Sequence, residues 1–460
     1  MRAHALAVAW AAGSLAVGLT NPLGGLGLSG GGAIALAILL LAGFLWTSEA
    51  VPLFVTSFLV LGLNLVWLRP ALEAAGQAVA ADAFLAPFFS DLVLLFLGGF
   101  VLASALNRYR LDATLAGAIL RRAGRRVPAV MGALMAVTAT LSMWLSNTAA
   151  TALMLGLCLP LAKSIADPGP RKALLLSVPL AANVGGLGTP IGTPPNAIVL
   201  EYLEGAGHPI GFAMWMVIGL PAVLLLLVLL WAALLRLQGG WSASLPLDAG
   251  ADGQAASTDP DEAPWGRRLV LGVTAITILG WLLGGLVGLS PGTVSVLPVV
   301  AFFGARVLSV ADFRALSWDV LFLMGGGLCL ARSLELSGLA DWLVAGVPTE
   351  GVPAWALASA FLVVACAMST VMSNTATANL LAPLVAGLSG VSTAPVFLSV
   401  AFGCSVAMAL PISTPPNAMA FASGQLEARD LLRVGLLATV AGVALTVVVF
   451  FRWWDLLGVS

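Results

Sequence analysis

The chain has 460 residues, 60% of them hydrophobic and only 9% charged, with a formal net charge of −1. A soluble core does not need this much apolar sequence, so the composition excludes a water-soluble domain and predicts an all-α polytopic membrane protein with the lipid bilayer as a partner. The near-neutral balance without a basic tail leaves no case for nucleic acid, and the four cysteines, Cys158, Cys329, Cys366 and Cys404, lie far apart in apolar runs and read as buried free thiols.

In chain order, apolar spans are predicted at about 5–20, 32–47 and 52–67, the first of them a span rather than a signal peptide because no clear small-residue cleavage site follows. Residues 68–90 read as a loop or interfacial segment, and a fourth span covers about 92–106. Asn107 to Arg126 then carries six arginines in twenty residues, with leucines and alanines between them, which predicts a helix lying on the cytoplasmic surface. The apolar stretch that follows is flanked by these arginines on one side and by Lys163, Arg171 and Lys172 on the other. Both ends are therefore expected inside, which predicts a re-entrant hairpin over about 127–164 with Ser146-Asn147-Thr148 at its tip. A helix over about 173–207 is broken by Thr193-Pro194-Pro195-Asn196. The loop 201–209 has no Lys or Arg and is expected outside, and a span over 211–235 returns to Arg236. Residues 239–264 are polar, acidic and small, a flexible cytoplasmic linker between a first unit at 1–238 and a second at 265–460.

The second unit repeats the first. Ser373-Asn374-Thr375 is a second Ser-Asn-Thr, expected at the tip of a hairpin over about 352–388. Thr414-Pro415-Pro416-Asn417 lies in a second broken helix over about 395–424. Asp91, Gly98, Gly99 and Leu102 match Asp319, Gly326, Gly327 and Leu330 at an offset of 228; the Ser-Asn-Thr copies are offset by 227 and the Thr-Pro-Pro-Asn copies by 221. Basic loops in one unit correspond to non-basic loops in the other: 107–126 and 163–172 against 336–352 and 387–395, and in the opposite sense 77–90 and 201–209 against Arg306, Arg314, Arg429 and Arg433. By the positive-inside rule the units are inverted, the arrangement of secondary transporters. The expected architecture has about eleven transmembrane helices and two opposed hairpins, with the N-terminus inside and the C-terminus outside.

An unwound backbone at membrane depth is tolerated only where protein or water-filled space satisfies it. Ser, Asn and Thr are good N-caps and Pro suits the first helical turn, so each string is expected to start a helix and present free N–H groups with the positive end of its dipole, an environment for an anion. Hydroxyls, amide oxygens and unwound carbonyls beside them are hard oxygen ligands suited to Na⁺. None of the four strings holds Lys, Arg or His, so a polyanion there would need co-bound cations. Helix caps and proline kinks alone are the competing reading; two copies of each string at matching spacing weigh against it.

These strings, with Trp-x-Ser-Glu-Ala-Val-Pro-Leu at Trp46 to Leu53, resemble the divalent anion/sodium symporter family, the di- and tricarboxylate carriers that include the INDY proteins. The resemblance covers nearly the whole chain. It implies one sodium site at Ser142, Ser146, Asn147 and Gly192 and another at Ser369, Ser373, Asn374 and Ser413, for two or more co-transported Na⁺. It places substrate carboxylates at Asn147, Thr148, Asn374 and Thr375, with Thr193, Pro194, Thr414 and Pro415 lining the pocket. It also implies a homodimer in the cell (inner) membrane that moves a transport domain like an elevator. The expected function is Na⁺-coupled import of C4 dicarboxylates, with sodium-independent exchange and sodium/sulfate symport as alternatives. An enzyme is disfavoured because no nucleophile is matched with His or paired carboxylates at depth. Glu49, Asp91 and Asp319 read as interfacial caps, and Arg332 with Glu335 as a structural i,i+3 pair.

Overall fold

The structure, a computed structural model, describes residues 2–239, 241–245, 264–345, 352–388 and 392–459. Among these residues the regular elements are all helical, as a bilayer requires of a chain that must satisfy its backbone within each segment. Seven helices are long and apolar enough to cross a membrane: Gly30–Ser48, Leu53–Ala74, Asp82–Arg108, Phe212–Gln238, Pro264–Val287, Ala354–Val371 and Ala428–Leu456. Against the expected eleven spans, several of the remaining apolar helices are shorter because they stop at the Ser-Asn-Thr or Thr-Pro-Pro-Asn strings.

Helix α1 is Arg2–Thr20 and α2 is Gly30–Ser48, capped by Ser29, whose hydroxyl accepts from the Gly32 amide at 2.9 Å. Glu49 ends α2 in the left-handed region (φ 49°), and the buried Trp46 indole donates to the Leu53 carbonyl at 3.2 Å. The Trp46–Leu53 string is thus a stop that turns the chain into α3 (Leu53–Leu63). Beyond it, 64–74 stays helical where a loop from Leu68 is expected. Pro70 sits in the first turn of the Arg69–Ala74 helix, and Arg69 pairs with Glu73 at 2.9 Å one turn on. Next come α4 (Asp91–Arg108) and α5 (Leu111–Arg122). The arginine-rich helix is shorter than expected because Arg110, at φ 48°, breaks it from α4.

The first unit continues with α6 (Val127–Ser142), α7 (Asn147–Lys163), α8 (Pro168–Gly185), α9 (Pro194–Gly205) and α10 (Phe212–Gln238). The second has α11 (Pro264–Leu283), α12 (Pro291–Gly304), α13 (Trp318–Leu336), α14 (Leu339–Ala345), α15 (Ala354–Val371), α16 (Asn374–Ala386), α17 (Ala394–Val406), α18 (Pro415–Ala422) and α19 (Ala428–Leu445). Of the expected linker at 239–264, residues 240 and 246–263 lie outside the described residues. Its described start is pinned rather than loose: the Val127 amide donates to the Ala243 carbonyl at 2.9 Å and the Leu245 amide to the Arg125 carbonyl at 2.8 Å.

Buried apolar side chains fall into three clusters. The largest holds both hairpins and both broken helices with α10 and α19. A second joins α2 and α3 to α13, and a third joins α4 to α11 and α12. In each flanking cluster a helix of one unit packs on a helix of the other at a glycine: Gly98 of α4 against Ser295 of α12, and Gly326 of α13 against Ser57 of α3. These are the glycines that repeat in the sequence, and close approach explains why neither position carries a side chain. Asp91 caps not its own helix but α12, accepting from the Gly292 amide at 3.0 Å and from the Ser290 hydroxyl. Arg332 and Glu335 pair at 2.6 Å, and the four cysteines are buried and free.

Ion pairs tie the units at their edges: Arg108 with Asp312 at 2.8 Å, and Lys172 with Asp430 at 2.8 Å and Glu427 at 3.5 Å. Burial alone would raise the Asp312 carboxyl; the Ser309 amide and hydroxyl and the Arg108 guanidinium outweigh it and hold the group below its ordinary range. Its contribution is therefore full above the ordinary carboxylate range and fades as pH falls through the lowered value.

A methyl on Gly98 would lie 2.8 Å from the Ser295 carbonyl oxygen and 2.9 Å from its Cα. Gly98→Ala is expected to cost about 1–3 kcal/mol, read as a lowered Tm in detergent. Gly62→Ala, whose methyl meets nothing within 4 Å, should not lower it; an equal fall in both would remove the close-packing account.

Candidate functional site

The two hairpin tips are built alike. Ser146 is extended and its hydroxyl accepts from the Ala149 amide at 3.2 Å; Ser373 accepts from the Ala376 amide at 3.1 Å. Each serine is the N-cap of the returning arm, so Asn147 and Asn374 are the first residues of α7 and α16. Thr148 follows, exposed, and Thr375, half-buried. The hydroxyls of Ser146 and Ser373, expected as cation ligands, are engaged as caps.

The broken helices are also alike. Helix α8 ends at Gly185, a tight turn covers Gly186–Gly188, and Thr193 is the extended N-cap of α9 with Pro194 in its first turn. Helix α17 ends at Val406, and Thr414 is the extended N-cap of α18 with Pro415 behind it. Asparagine braces both breaks. The Asn196 amide donates to the carbonyls of Gly186 (2.8 Å) and Thr189 (2.9 Å), and that of Asn417 to Met408 and Leu410 (3.0 Å each). A primary amide has two N–H donors and can bridge two carbonyls that unwinding has freed.

Around the first tip, oxygens converge. The Ser142 hydroxyl lies 2.5 Å from the Asn147 amide oxygen and donates to the Ala182 carbonyl at 2.8 Å. The Asn147 amide can turn either way. With oxygen inward it faces the Ser142 hydroxyl and the carbonyls of Ala182 and Gly192; with nitrogen inward these three are the acceptors within reach of its two N–H groups, at 2.5, 3.2 and 3.2 Å. Amide orientation is assigned from partners, and here each orientation has its own: a hydrogen-bonded cage without a cation, or four oxygens around one. Gly186 and Gly192 make room for it. A methyl on Gly186 would lie 2.8 Å from the Asn147 amide oxygen and 3.2 Å from the Gly192 carbonyl, and one on Gly192 would collide with the Gly186 carbonyl.

The second tip repeats the core of this cage. The Ser369 hydroxyl is 2.5 Å from the Asn374 amide oxygen and 3.3 Å from the Cys404 carbonyl. Ser413, the counterpart of Gly192, ties the break to the hairpin arm, its hydroxyl donating to the Thr370 carbonyl of α15 and accepting from the Leu410 amide of the break, 3.0 Å each. The units meet where the Asn183 amide donates to the Thr414 hydroxyl (3.0 Å) and the Asn417 oxygen (3.2 Å). Of the expected residues, the structure brings Ser142, Asn147 and Gly192 into one cluster and Ser369 and Asn374 into another, with Ser413 at the break beside it. Sequence reasoning missed the Ala182 and Cys404 carbonyls, which carry no side-chain signal, and the amides of Asn183, Asn196 and Asn417. The last two stand inside the Thr-Pro-Pro-Asn strings.

The family model described as "Citrate transporter" matches residues 43–395, a stretch that contains both hairpins. The chain belongs to the citrate-transporter family. Among curated relatives, it is 31% identical over 468 aligned positions to the sodium-dependent dicarboxylate transporter SdcS of Staphylococcus saprophyticus, covering 94% of this chain and 88% of that one. It is 29% identical to the protein of the same name in Staphylococcus aureus, over 93% and 87%. Two solved membrane transporters share the fold at low identity. They are YdaH of Alcanivorax borkumensis (TM-score 0.56, 14% identity, 88% of this chain and 98% of that one) and MtrF of Neisseria gonorrhoeae (TM-score 0.54, 13%, 80% and 82%).

In this family member the first cage is expected to fail on one added methyl. Gly186→Ala should weaken Na⁺-dependent thermal stabilisation at least about tenfold in apparent affinity, as loss of a charge-assisted contact would. Gly156→Ala, where a methyl meets nothing within 4 Å, should leave it unchanged. Melting temperature against Na⁺ concentration reads both, and wild-type affinity in Gly186→Ala would show the cage does not hold the ion.

Proposed function

We propose that this family member is a Na⁺-coupled symporter importing C4 dicarboxylates such as succinate, malate or fumarate across the cell membrane. The observation that carries the reading is the pair of oxygen clusters, each beside a helix N-terminus. A dicarboxylate between the tips gains the free N–H groups and positive dipole ends of α7 and α16. With no charged side chain in the four strings, its two charges are balanced by cations, which makes Na⁺ obligatory. The names of the relatives from Staphylococcus support the same ion and substrate class.

In this reading Ser142, Asn147 and Gly192 with the Ala182 carbonyl hold one Na⁺. Ser369 and Asn374 with the Cys404 carbonyl hold another, with Ser146, Ser373 and Ser413 supporting the tips and break. Asn147, Thr148, Asn374 and Thr375 meet the substrate carboxylates, and Thr193, Pro194, Thr414 and Pro415 line the pocket. The large central cluster moves as one body against the flanking two in an elevator motion, and the protein works as a homodimer. The separation of the three apolar cores supports that division. The units are inverted repeats with the N-terminus in the cytoplasm and the C-terminus outside. Arg108 pairing with Asp312, and Lys172 with Asp430, support it, since both pairs join segments expected on the cytoplasmic side.

Uptake of labelled succinate into proteoliposomes should require Na⁺ on the substrate side, and K⁺ should not replace it. Equal flux in choline buffer would overturn symport; flux that needs internal dicarboxylate instead of Na⁺ would identify an exchanger, and selective competition by sulfate a sulfate carrier. Asn147→Ala and Asn374→Ala should each reduce Na⁺-dependent succinate binding about tenfold or more at unchanged Tm. Near-normal binding with a lowered Tm would reduce both residues to structural braces of the hairpin tips, whose loss costs about 1 kcal/mol of stability.

Sidedness is tested separately by cysteines placed at Gly387 and Asp167. The first is expected to label from outside and the second from inside; labelling of both from one side would refute the inversion.

A further inference from the structure

A cavity of about 550 Å³ lies between the hairpin arm α6 and helices α4, α5 and α11. Its walls are apolar, with Leu102, Leu106, Leu141, Trp144 and Trp281 among them, and two opposite charges, Asp112 and Arg267, line it as well. Asp112 is 5% exposed. One of its oxygens accepts from the Ala113 amide at 2.7 Å, and the other is buried without a partner among the described residues. Arg267 is exposed, and among the described residues it closes no ion pair with Asp112 although both face the same space. A buried carboxylate oxygen with no donor is costly, so the site calls for a ligand that brings one.

We propose that this cavity is a binding site for a phospholipid with a primary ammonium headgroup, of the phosphatidylethanolamine class. The ammonium donates to the free Asp112 oxygen, the phosphate faces Arg267, and the acyl region lies on the apolar walls. The volume falls in the range of about 300–1,000 Å³ usual for sites that enclose one ligand. The wall opens toward lipid at Leu271, which lines the cavity and is itself exposed. A dicarboxylate does not suit this space: Asp112 repels it and the walls are mostly apolar.

The position gives the lipid a consequence. Trp144, two residues before the Ser146 cap, stacks on Phe212 at 6.1 Å and on Trp281 at 6.4 Å, so the hairpin tip touches α10 and α11 beside the cavity. A lipid seated there bridges the central cluster to α4 and α11 of a flanking one, and would bias how readily they slide. That consequence rests on the elevator reading above; the binding itself does not.

The test equilibrates the purified full chain with an equimolar mixture of phosphatidylethanolamine, phosphatidylcholine and phosphatidylglycerol, then measures retained lipid by mass spectrometry. Phosphatidylethanolamine should be retained about tenfold over phosphatidylcholine, and Asp112→Asn should abolish the preference. Enrichment that survives Asp112→Asn, or no enrichment in the wild type, would overturn the proposal. Preference for phosphatidylglycerol would also overturn it, showing that the arginines simply gather anionic lipid. A second arm needs no variant: successive N-methylation of the headgroup removes N–H donors and keeps the charge, so retention by the wild type should fall stepwise and is overturned if it stays level. Na⁺-dependent stabilisation read on the same samples separates loss of this site from failure of the transport reading.

Discussion

Two largely buried stretches of unwound backbone, after Gly185 and after Val406, are the constraint on which the rest depends. Each freed carbonyl or amide would cost several kcal/mol if it faced hydrocarbon alone. Asn196 and Asn417 meet that cost with one side chain apiece, each bridging two carbonyls of its own break. The brace also fixes direction. It draws the start of α9 back over Gly186, which brings the Gly192 carbonyl to the Asn147 amide. A break without the brace would leave the cage without one of its four oxygens.

The two halves share this design and differ where small changes matter. Gly192 is forced by the approach of the Gly186 backbone; Ser413 occupies the same place in the second half and uses its hydroxyl to tie the break to the hairpin arm at Thr370. Asn183 reaches across to Thr414 and Asn417, but its counterpart Ser405 is shorter and its hydroxyl is buried without a partner. The link between halves is therefore one-sided: the second broken helix is held by the first half, with no equivalent hydrogen bond in return among the described residues. Two clusters built from the same string therefore differ in how they are held.

The flanking clusters explain how such a site is held in register. Without a hydrophobic force between helices in lipid, close contact has to come from small residues and directed polar bonds. The chain supplies both at once: Gly98 against Ser295 and Gly326 against Ser57 let backbones approach, and Asp91 caps the helix that Gly98 packs on. Each contact joins one half to the other. Neither half completes its own flanking core, so the site between them exists only when both have folded.

Composition, the arginine distribution and the two pairs of strings determine much by themselves. The all-helical membrane class follows from 60% apolar sequence. The helix starts at Asn147, Pro194, Asn374 and Pro415 follow from local capping chemistry, which acts within a few residues and is readable there. The Trp46 stop and the Arg332–Glu335 pair are local in the same way. What only the tertiary structure decided is which oxygens meet. The Ala182 and Cys404 carbonyls are backbone atoms that look alike at every position, and Asn183 finds Thr414 across more than two hundred residues. The Asp112 oxygen loses its water only because α4, α6 and α11 close around it. Such contacts depend on burial and on approach between distant segments, and one-dimensional spacing carries neither.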